Sequence, residues 1–278
     1  TAATSIIART SWLNSSNCEA VGNTLKVCPP STGGASPNHL IGGTFQNETS
    51  LLSVDQWPVM WGFGTASYTF LNCYNLSSVV SGTPYINGNI DQYFKGCTNL
   101  RTISARFFAS VTGTSARYCF EDSGLTEVPT NLFSNNIQDY EYCFRRCYNL
   151  TTVTGTPFGT RAYELGGIFA ECSSLTTVSI NTFNNCSNAG EIGYALKTVN
   201  ANLIQYCTKL TYAAGFFEGA GITALPSNFF GRITTDCNFT AVCHDCKNLT
   251  SIGTNAFPLT ANQFYGAFWG CSALTDAT

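Results

Sequence analysis

The segment Cys243-His244-Asp245-Cys246 holds residue types that could do chemistry, because thiols and imidazoles bind metals and two spaced thiols can form a redox pair. A structural zinc site needs four ligands. No second Cys-x-x-Cys and no pair of histidines accompanies this segment. Cys246 and Cys243 also fall at positions of the repeat described below. The sequence therefore predicts that these residues are structural and that the chain holds no metal.

Catalysis by a nucleophile requires a base positioned beside it. The chain has two histidines, His39 and His244, and neither lies in a catalytic motif. It has no Gly-x-Ser-x-Gly segment and no glycine-rich phosphate loop. The adjacent carboxylates Glu121 and Asp122 are expected at a solvated corner rather than as an acid/base pair. We therefore predict that the protein is not an enzyme and uses no cofactor.

The 14 cysteines are more typical of an oxidising compartment than of the cytosol. One predicted disulfide lies near the N-terminus, with two buried free thiols as the alternative. Two more are predicted at equivalent positions of adjacent repeats, because stacked strands bring Cα atoms into the disulfide range of about 4.4–6.8 Å. The predicted pairs are Cys18 with Cys28, Cys119 with Cys143, and Cys186 with Cys207.

Asn-x-Ser/Thr sequons are acceptors for N-linked glycans if the chain passes through a glycosylating secretory route. Three of them, Asn75, Asn149 and Asn248, share one repeat position, so their glycans would lie along one edge of the molecule. The predicted glycosylation sites are Asn14, Asn47, Asn75, Asn149, Asn185, Asn238 and Asn248.

Most of these residues, those after residue 40, are positioned by an internal repeat. Residues 144–153 read Phe-Arg-Arg-Cys-Tyr-Asn-Leu-Thr-Thr-Val, and residues 169–178 read Phe-Ala-Glu-Cys-Ser-Ser-Leu-Thr-Thr-Val. A period of this length indicates one supersecondary unit stacked many times. The first anchor of each unit recurs at steps of 23 to 26 residues, at Phe45, Phe70, Phe94, Phe120, Phe144, Phe169, Ile192, Phe217, Cys243 and Phe268.

A second bulky anchor closes each unit, after a short β-branched segment that suits a brief strand. One unit cannot bury its Phe and Leu alone, so stacked units must share a continuous core. Helical periodicity is weak, and we expect strand, turn and coil with one helical turn per unit at most. The second anchors are predicted at Tyr85, Phe108, Phe133, Phe158, Phe183, Ile204, Phe230 and Phe257.

A column of hydroxyl residues follows the Leu of the repeat. It would form a polar ladder that could bind glycan, carry O-linked sugar or order water. The preferred interpretation is simpler, since Thr is favoured in exposed strands. The column consists of Ser77, Thr126, Thr151, Thr176, Thr223 and Thr250.

The composition excludes several classes of protein. Charged residues make up 10% of the chain, against roughly 25% in an average soluble protein. The formal net charge is −3 and no Lys/Arg run occurs, so no nucleic-acid partner is expected. No apolar run approaches the roughly 20 residues of a membrane-spanning helix.

At its repeated residues the chain resembles the BspA-like leucine-rich repeats, whose units read Phe-x-x-Cys-x-x-Leu-Thr-x-Ile/Val. The segment Ser123-Gly124-Leu125 is the shorter variant of the same corner, and the resemblance covers about 230 of the 278 residues. It implies a mainly β leucine-rich-repeat solenoid of about ten 23–26-residue turns over residues 41–278. Residues 1–40 lack the repeat and are expected to form an N-terminal cap.

The resemblance also implies an extracellular or cell-surface protein linked to adhesion. We expect a non-enzymatic repeat protein that presents an extended surface to a protein or glycan on a cell. The alternative is a structural subunit of an extracellular filament or virion fibre, self-associating end to end, because Thr278 falls inside a repeat without a polar cap. The residues left for function are those that vary between repeats, such as Arg145, Arg146 and Tyr148.

Overall fold

The computed structural model describes residues 18–21, 24–27, 45–49, 51–54, 66–79, 81–179, 183, 196, 203–204 and 207–275. Short parallel strands joined by turns and loops make up this part of the chain, and it contains no helix, so the helical turn allowed for each repeat is not found there. The predicted count of about ten repeats, and the predicted boundary between residues 40 and 41, stay predictions because the relevant segments lie outside these residues.

The first sheet joins an N-terminal hairpin to the repeat. Strands β1 (Cys18–Val21) and β2 (Thr24–Val27) pair antiparallel. Strand β2 then pairs in parallel with β3 (Ser53–Val54), which pairs with β4 (Ser78–Val79). The hairpin therefore continues the sheet on the N-terminal side of the repeat strands. A capping role for residues 1–40 stays a prediction.

Two further sheets follow the same plan. Strands β5 (Glu127–Val128), β6 (Thr152–Val153) and β7 (Thr177–Val178) form one, and β8 (Ala224–Leu225) and β9 (Ser251–Ile252) form the other. All pairings are parallel, and each joins equivalent residues of successive repeats, as in Val128 with Val153 and Val153 with Val178. This register confirms a mainly β fold built from the repeat.

The first anchors form a column of stacked rings through the core. Phe94, Phe120 and Phe144 are fully buried, and their neighbouring ring centroids lie 5.4 and 5.3 Å apart with interplanar angles of 22° and 4°. The column extends to Phe45 on one side and Phe169 on the other. Offset stacking at such distances is a favourable aromatic geometry. Each ring therefore depends on the rings of the adjacent repeats for its burial.

The second anchors form a parallel column, with one exception. Phe108 and Phe133 stack at 5.7 Å, and Phe108 meets Phe120 edge-on at 5.9 Å. The prediction for Tyr85 is wrong, because this side chain is 47% exposed while Ile86 is 1% exposed. Ile86 forms a parallel bridge with Val111. A shift of one residue along an extended segment exchanges the inward and outward side chains, which explains the error.

The repeated cysteines donate hydrogen bonds between repeats. The thiols of Cys73, Cys97, Cys147, Cys172 and Cys246 each donate to the backbone carbonyl of the first anchor in the preceding repeat, at 2.9–3.2 Å. Burial raises the pKa of the Cys73 thiol to about 12, and it raises the pKa values of Cys97 and Cys172 well above the usual range. Cysteine suits this position because it is small and apolar yet carries one donor.

Replacing Cys147 with alanine should therefore destabilise the fold by about 1 kcal/mol, because the buried Phe120 carbonyl loses one of its two donors and keeps only the Ser123 amide. Cys147→Ser should cost less, since Ser123 already occupies this column and is 3% exposed. Urea unfolding followed by far-UV circular dichroism would measure both. A neutral Cys147→Ala, or a serine variant less stable than the alanine variant, would contradict the role given to the thiol.

Candidate binding surface

A seven-residue segment, here called the arm, precedes the cysteine position of each repeat. In the arm at 116–122, Tyr118 and Asp122 both have φ of 55°, and in the arm at 140–146, Tyr142 and Arg146 have φ of 55° and 58°. The left-handed conformation costs non-glycine residues roughly 1–2 kcal/mol. Every arm that the structure describes in full adopts it at its third and last residues. The described arms span 66–72, 90–96, 116–122, 140–146, 165–171, 213–219, 239–245 and 264–270.

Backbone hydrogen bonds hold the arms in register and offset this strain. Alternate amides donate to the next arm, as Tyr118 does to the Glu141 carbonyl at 3.0 Å and Asp122 does to the Arg145 carbonyl at 2.9 Å. The amides between them, such as that of Glu121, donate within their own arm. Equivalent side chains of neighbouring arms therefore line up in ladders across one surface, here called the arm face.

One of these ladders is charged. The Lys95 Nζ lies 2.7 Å from Glu121 Oε2, and Arg145 lies 3.6 Å from Glu121 Oε1. Arg145 also donates to Glu171 at 2.8 Å, and Arg146 Nε contacts the same carboxylate at 3.1 Å. Ion pairs thus connect four successive arms. These five residues are called the charged ladder.

The expectation of a solvated corner is wrong for Glu121, which is only 3% exposed. The Lys95 and Arg145 side chains reach it from the arms on either side and cover it. Asp122, the next residue, is half-buried, and burial followed by repulsion from Glu121 raises the pKa of its carboxyl. The two carboxylates differ because only Glu121 lies where both neighbouring arms carry a cation.

A second charged cluster lies on the same face. The Arg117 guanidinium pairs with Glu141 and lies 3.4 Å from Asp139 Oδ2. Asp91 Oδ1 accepts the Arg117 amide at 2.9 Å and the hydroxyl of Ser115. Burial raises the pKa of Asp139, an effect that Arg117 opposes and Asp91 reinforces. Charges on the arm face are therefore arranged as opposite pairs between neighbouring repeats.

Two tyrosines lie among these charges. The rings of Tyr118 and Tyr142 stack at 5.3 Å with an interplanar angle of 18°. Lys95 Nζ lies 5.3 Å from the Tyr118 ring centroid, and the Arg145 guanidinium lies 5.4 Å from that of Tyr142. Contacts of this kind are attractive through the ring quadrupole. The pair is half-buried and held rigidly, which is how aromatic anchors of interfaces are presented.

Of the three residues predicted to be available for function, the two arginines form ion pairs and the tyrosine is exposed. Arg145 and Arg146 are both engaged by Glu171, whereas Tyr148 is 51% exposed. Sequence reasoning missed the Tyr118–Tyr142 pair. The available signal was the recurrence of tyrosine at one arm position 24 residues apart.

The hydroxyl column has a structural role. The hydroxyls of Thr126, Thr151 and Thr176 each donate to the carbonyl of the equivalent residue one repeat earlier, at 3.0–3.2 Å. The same carbonyl also accepts the backbone amide. Ser77 and Thr250 repeat the arrangement. Each of these hydroxyl protons is therefore committed to holding adjacent repeats together.

The predicted disulfides are not formed among the described residues. Cys119 and Cys143 are neighbouring buried free thiols, and Cys207 is a buried free thiol that donates to the Phe183 carbonyl. Cys18 lies in β1, while Cys28 and Cys186 lie outside the described residues. Oxidation of the neighbouring thiols Cys119 and Cys143 stays a prediction.

The sequons differ in accessibility. Asn47, Asn75, Asn149 and Asn248 are exposed. Asn238 is half-buried, and its Oδ1 accepts the Thr240 amide at 2.8 Å. Asn14 and Asn185 lie outside the described residues. Glycosylation of all these sites stays a prediction.

The segment Cys243–Cys246 belongs to the columns of the repeat. The Cys246 thiol donates to the Phe217 carbonyl at 2.9 Å, and the Cys243 carbonyl accepts the Cys271 thiol at 3.0 Å. Over the described ranges, no group of three or more His, Cys, Asp or Glu residues is placed to hold a metal ion. In the same residues, no helix is long and apolar enough to cross a membrane.

The charged ladder should make stability depend on pH through Glu171. Hydrogen bonds from Arg145 and then Arg146 lower the pKa of its carboxyl below the ordinary value of 4.5. Its stabilising contribution should be present above pH 4.5 and lost as the pH falls through the lower folded value. Wild type should therefore be more stable than Glu171→Gln at pH 7, and the difference should vanish in acid.

Chemical denaturation of both proteins across the acid range would measure this. The exposed Glu127 of β5 supplies a control, because Glu127→Gln removes one carboxylate without touching the ladder. The difference for Glu171→Gln should be small, since exposed pairs contribute at most about 1 kcal/mol, and should shrink in high salt. A difference independent of pH, or equal to that of the control, would contradict the assigned ion pairs.

The known proteins that resemble this chain do so in their three-dimensional structures. No protein-family model and no curated protein matches the chain. Similar solved structures include a leucine-rich repeat protein from Bacteroides ovatus, with a TM-score of 0.41 and 13% identity over 90% of this chain and 85% of that one. A leucine-rich repeat protein of T. pallidum is similar at a TM-score of 0.32 and 15% identity, covering 95% of this chain and 90% of that one.

A leucine-rich cell surface protein from Faecalibacterium prausnitzii is similar at a TM-score of 0.29 and 16% identity, over 95% of this chain and 90% of that one. Such scores are too low to support an argument about function. The evidence for the repeat comes from this chain itself, in which stacked Phe rings and Cys thiols join each repeat to the preceding one. In that pattern the chain is similar to the BspA-like leucine-rich-repeat proteins.

Proposed function

We propose that this chain is a non-enzymatic extracellular repeat protein that binds a protein or glycan on a cell surface through its arm face. The observation that carries the proposal is the concentration of charged and aromatic side chains there. The chain is only 10% charged, yet nine of the 28 residues in the four arms between residues 90 and 171 are charged. These nine are Asp91, Lys95, Arg117, Glu121, Asp122, Glu141, Arg145, Arg146 and Glu171, and Asp139 lies directly before one of the arms.

The chemistry of this surface suits an interface. Tyrosine and arginine are enriched at protein interfaces, where a rigid aromatic ring supplies contact area at low entropic cost. The Tyr118–Tyr142 pair provides such rings, fixed by Lys95 and Arg145. Carboxylates outnumber cations on these arms, which favours a partner rich in hydrogen-bond donors, such as a glycan or a basic protein surface.

Two further observations support binding over catalysis. The repeated thiols are buried, and their raised pKa values keep them protonated, whereas a nucleophilic cysteine acts as the thiolate. Glu121, the most buried carboxylate of the arm face, is neutralised by Lys95 and Arg145. The hydroxyl column is the less suitable binding face, since its protons are used between repeats.

Binding to arrays of immobilised glycans and extracellular-matrix proteins would test the proposal. The wild type should bind members of one of the two classes, and Tyr118→Ala/Tyr142→Ala should weaken that binding by about tenfold or more, as loss of an aromatic hot spot does. Tyr85→Ala is the matched control, because this tyrosine is 47% exposed and outside the arms. Equal loss in both variants, or no binding to either class, would contradict the proposal.

A further inference from the structure

A cavity of about 310 Å³ opens between two successive repeats, away from the charged ladder. Its lining includes two carboxylates, an amine and an amide, and the other lining residues are small. The lining consists of Glu218, Gly219, Ala220, Gly221, Asp245, Lys247 and Asn248.

The cavity arises from a difference in length between two corners. From first anchor to Leu position, the earlier repeat runs from Phe217 to Ile222, one residue shorter than the next repeat, which runs from Cys243 to Leu249. The short corner also carries glycine at Gly219 and Gly221, so two side chains that would cover the space are missing.

The short corner leaves polar groups without partners. At the equivalent position of an earlier repeat, the Asn75 amide donates to the Thr49 carbonyl of the preceding corner at 2.7 Å. Asn248 makes no such bond, and the side chains of Lys247 and Asn248 form no hydrogen bond or ion pair with any described residue. Both side chains instead line the cavity.

The lining of the cavity also supplies acceptors. His244 Nδ1 lies 3.7 Å from Glu218 Oε1 and 3.5 Å from Asp245 Oδ2, so the imidazole lies close to both lining carboxylates. The His244 ring in turn meets the Trp269 indole edge-on at 5.8 Å. Acceptors on Glu218 and Asp245 and donors on Lys247 and Asn248 thus line one small space.

We propose that this cavity binds a single neutral sugar ring, as the terminal residue of a glycan. A hydroxyl group both donates and accepts, so neighbouring hydroxyls of one ring can donate to Glu218 and Asp245 and accept from Lys247 and Asn248. The volume is at the lower end of small-molecule sites, which run from roughly 300 to 1,000 Å³. Two carboxylates against one lysine disfavour an anion, and the polar lining disfavours an apolar ligand.

This inference rests on the proposed binding of a protein or glycan: it takes the glycan as the partner and names the sugar ring that one discrete site would hold. The probe is a set of free monosaccharides, namely glucose, galactose, mannose, fucose and N-acetylglucosamine, examined by saturation-transfer difference NMR with the whole chain. We expect a saturation signal from at least one of them, at millimolar affinity typical of a single ring. A glycine and alanine sample tests the alternative that the site takes an amino-acid zwitterion.

The variants are chosen to preserve the backbone. Asp245 has φ of 56°, a conformation that asparagine also adopts readily, so Asp245→Asn removes the charge and keeps the turn. Asp236→Asn is the control, because Asp236 is an exposed carboxylate that lies outside both the arms and the cavity lining. Glu218→Gln provides a second, independent variant.

Asp245→Asn and Glu218→Gln should each weaken sugar binding by about tenfold, the effect of losing one charge-assisted hydrogen bond. Asp236→Asn should bind as wild type does. Absence of any monosaccharide signal, a signal from the amino acids alone, or equal binding by all three variants would overturn the inference. If the Tyr118 and Tyr142 pair still supports array binding in that case, only the sugar site fails and the proposed function stands.

Discussion

Contact between equivalent residues of successive repeats is the interaction on which this molecule depends. The stack of Phe94, Phe120 and Phe144 buries each ring against the next, and the thiol of Cys147 satisfies the carbonyl of Phe120. Neither contact exists inside one repeat. The strands are only two residues long, so backbone pairing alone provides little cohesion. Stability therefore comes from interfaces between neighbours, as expected for a solenoid.

This constraint also decides which side chains remain for function. The repeated thiols, the hydroxyl column and the ion pairs of the arm face are used between repeats, as in Thr151 and the charged ladder. The side chains available for binding lie where one repeat differs from the others in residue type or in length. The Tyr118–Tyr142 pair is one, because tyrosine occupies a left-handed position in two adjacent arms. The cavity beside Gly221 is another, because one corner there is a residue shorter than the next.

The sequence predicted the columns well because burial imposes the same residue type at the same phase in every repeat. Phe120, Cys147 and Leu150 were assigned to the core on spacing alone, and all three are fully buried. Tyr85 lies one residue before the true position of the second anchor and is aromatic like most second anchors, so the sequence pattern favours it over Ile86, which is the buried residue. Spacing cannot resolve a shift of one residue in a variable loop.

The surface was less predictable, for a physical reason. The pairing of Glu121 with Lys95 and Arg145 depends on how neighbouring arms are aligned. Because the arm sequences vary, the sequence of one arm does not indicate which residues of the next arm lie beside it. The left-handed arm residues were also not foreseen, since Tyr118, Asp122 and Arg146 share no residue type that would signal them. The cavity follows from comparing two corners, one of which carries the glycines.

A pair of double-mutant cycles would test most directly the claim that stability lies between neighbouring repeats. Phe120→Leu combined with Phe144→Leu changes two stacked rings, whereas Phe94→Leu combined with Phe217→Leu changes rings of distant repeats. Unfolding free energies should give a coupling of about 0.5–1.5 kcal/mol for the first pair. The second pair should be additive within roughly 0.5 kcal/mol. Additivity in the first pair, or equal coupling in both, would contradict the account.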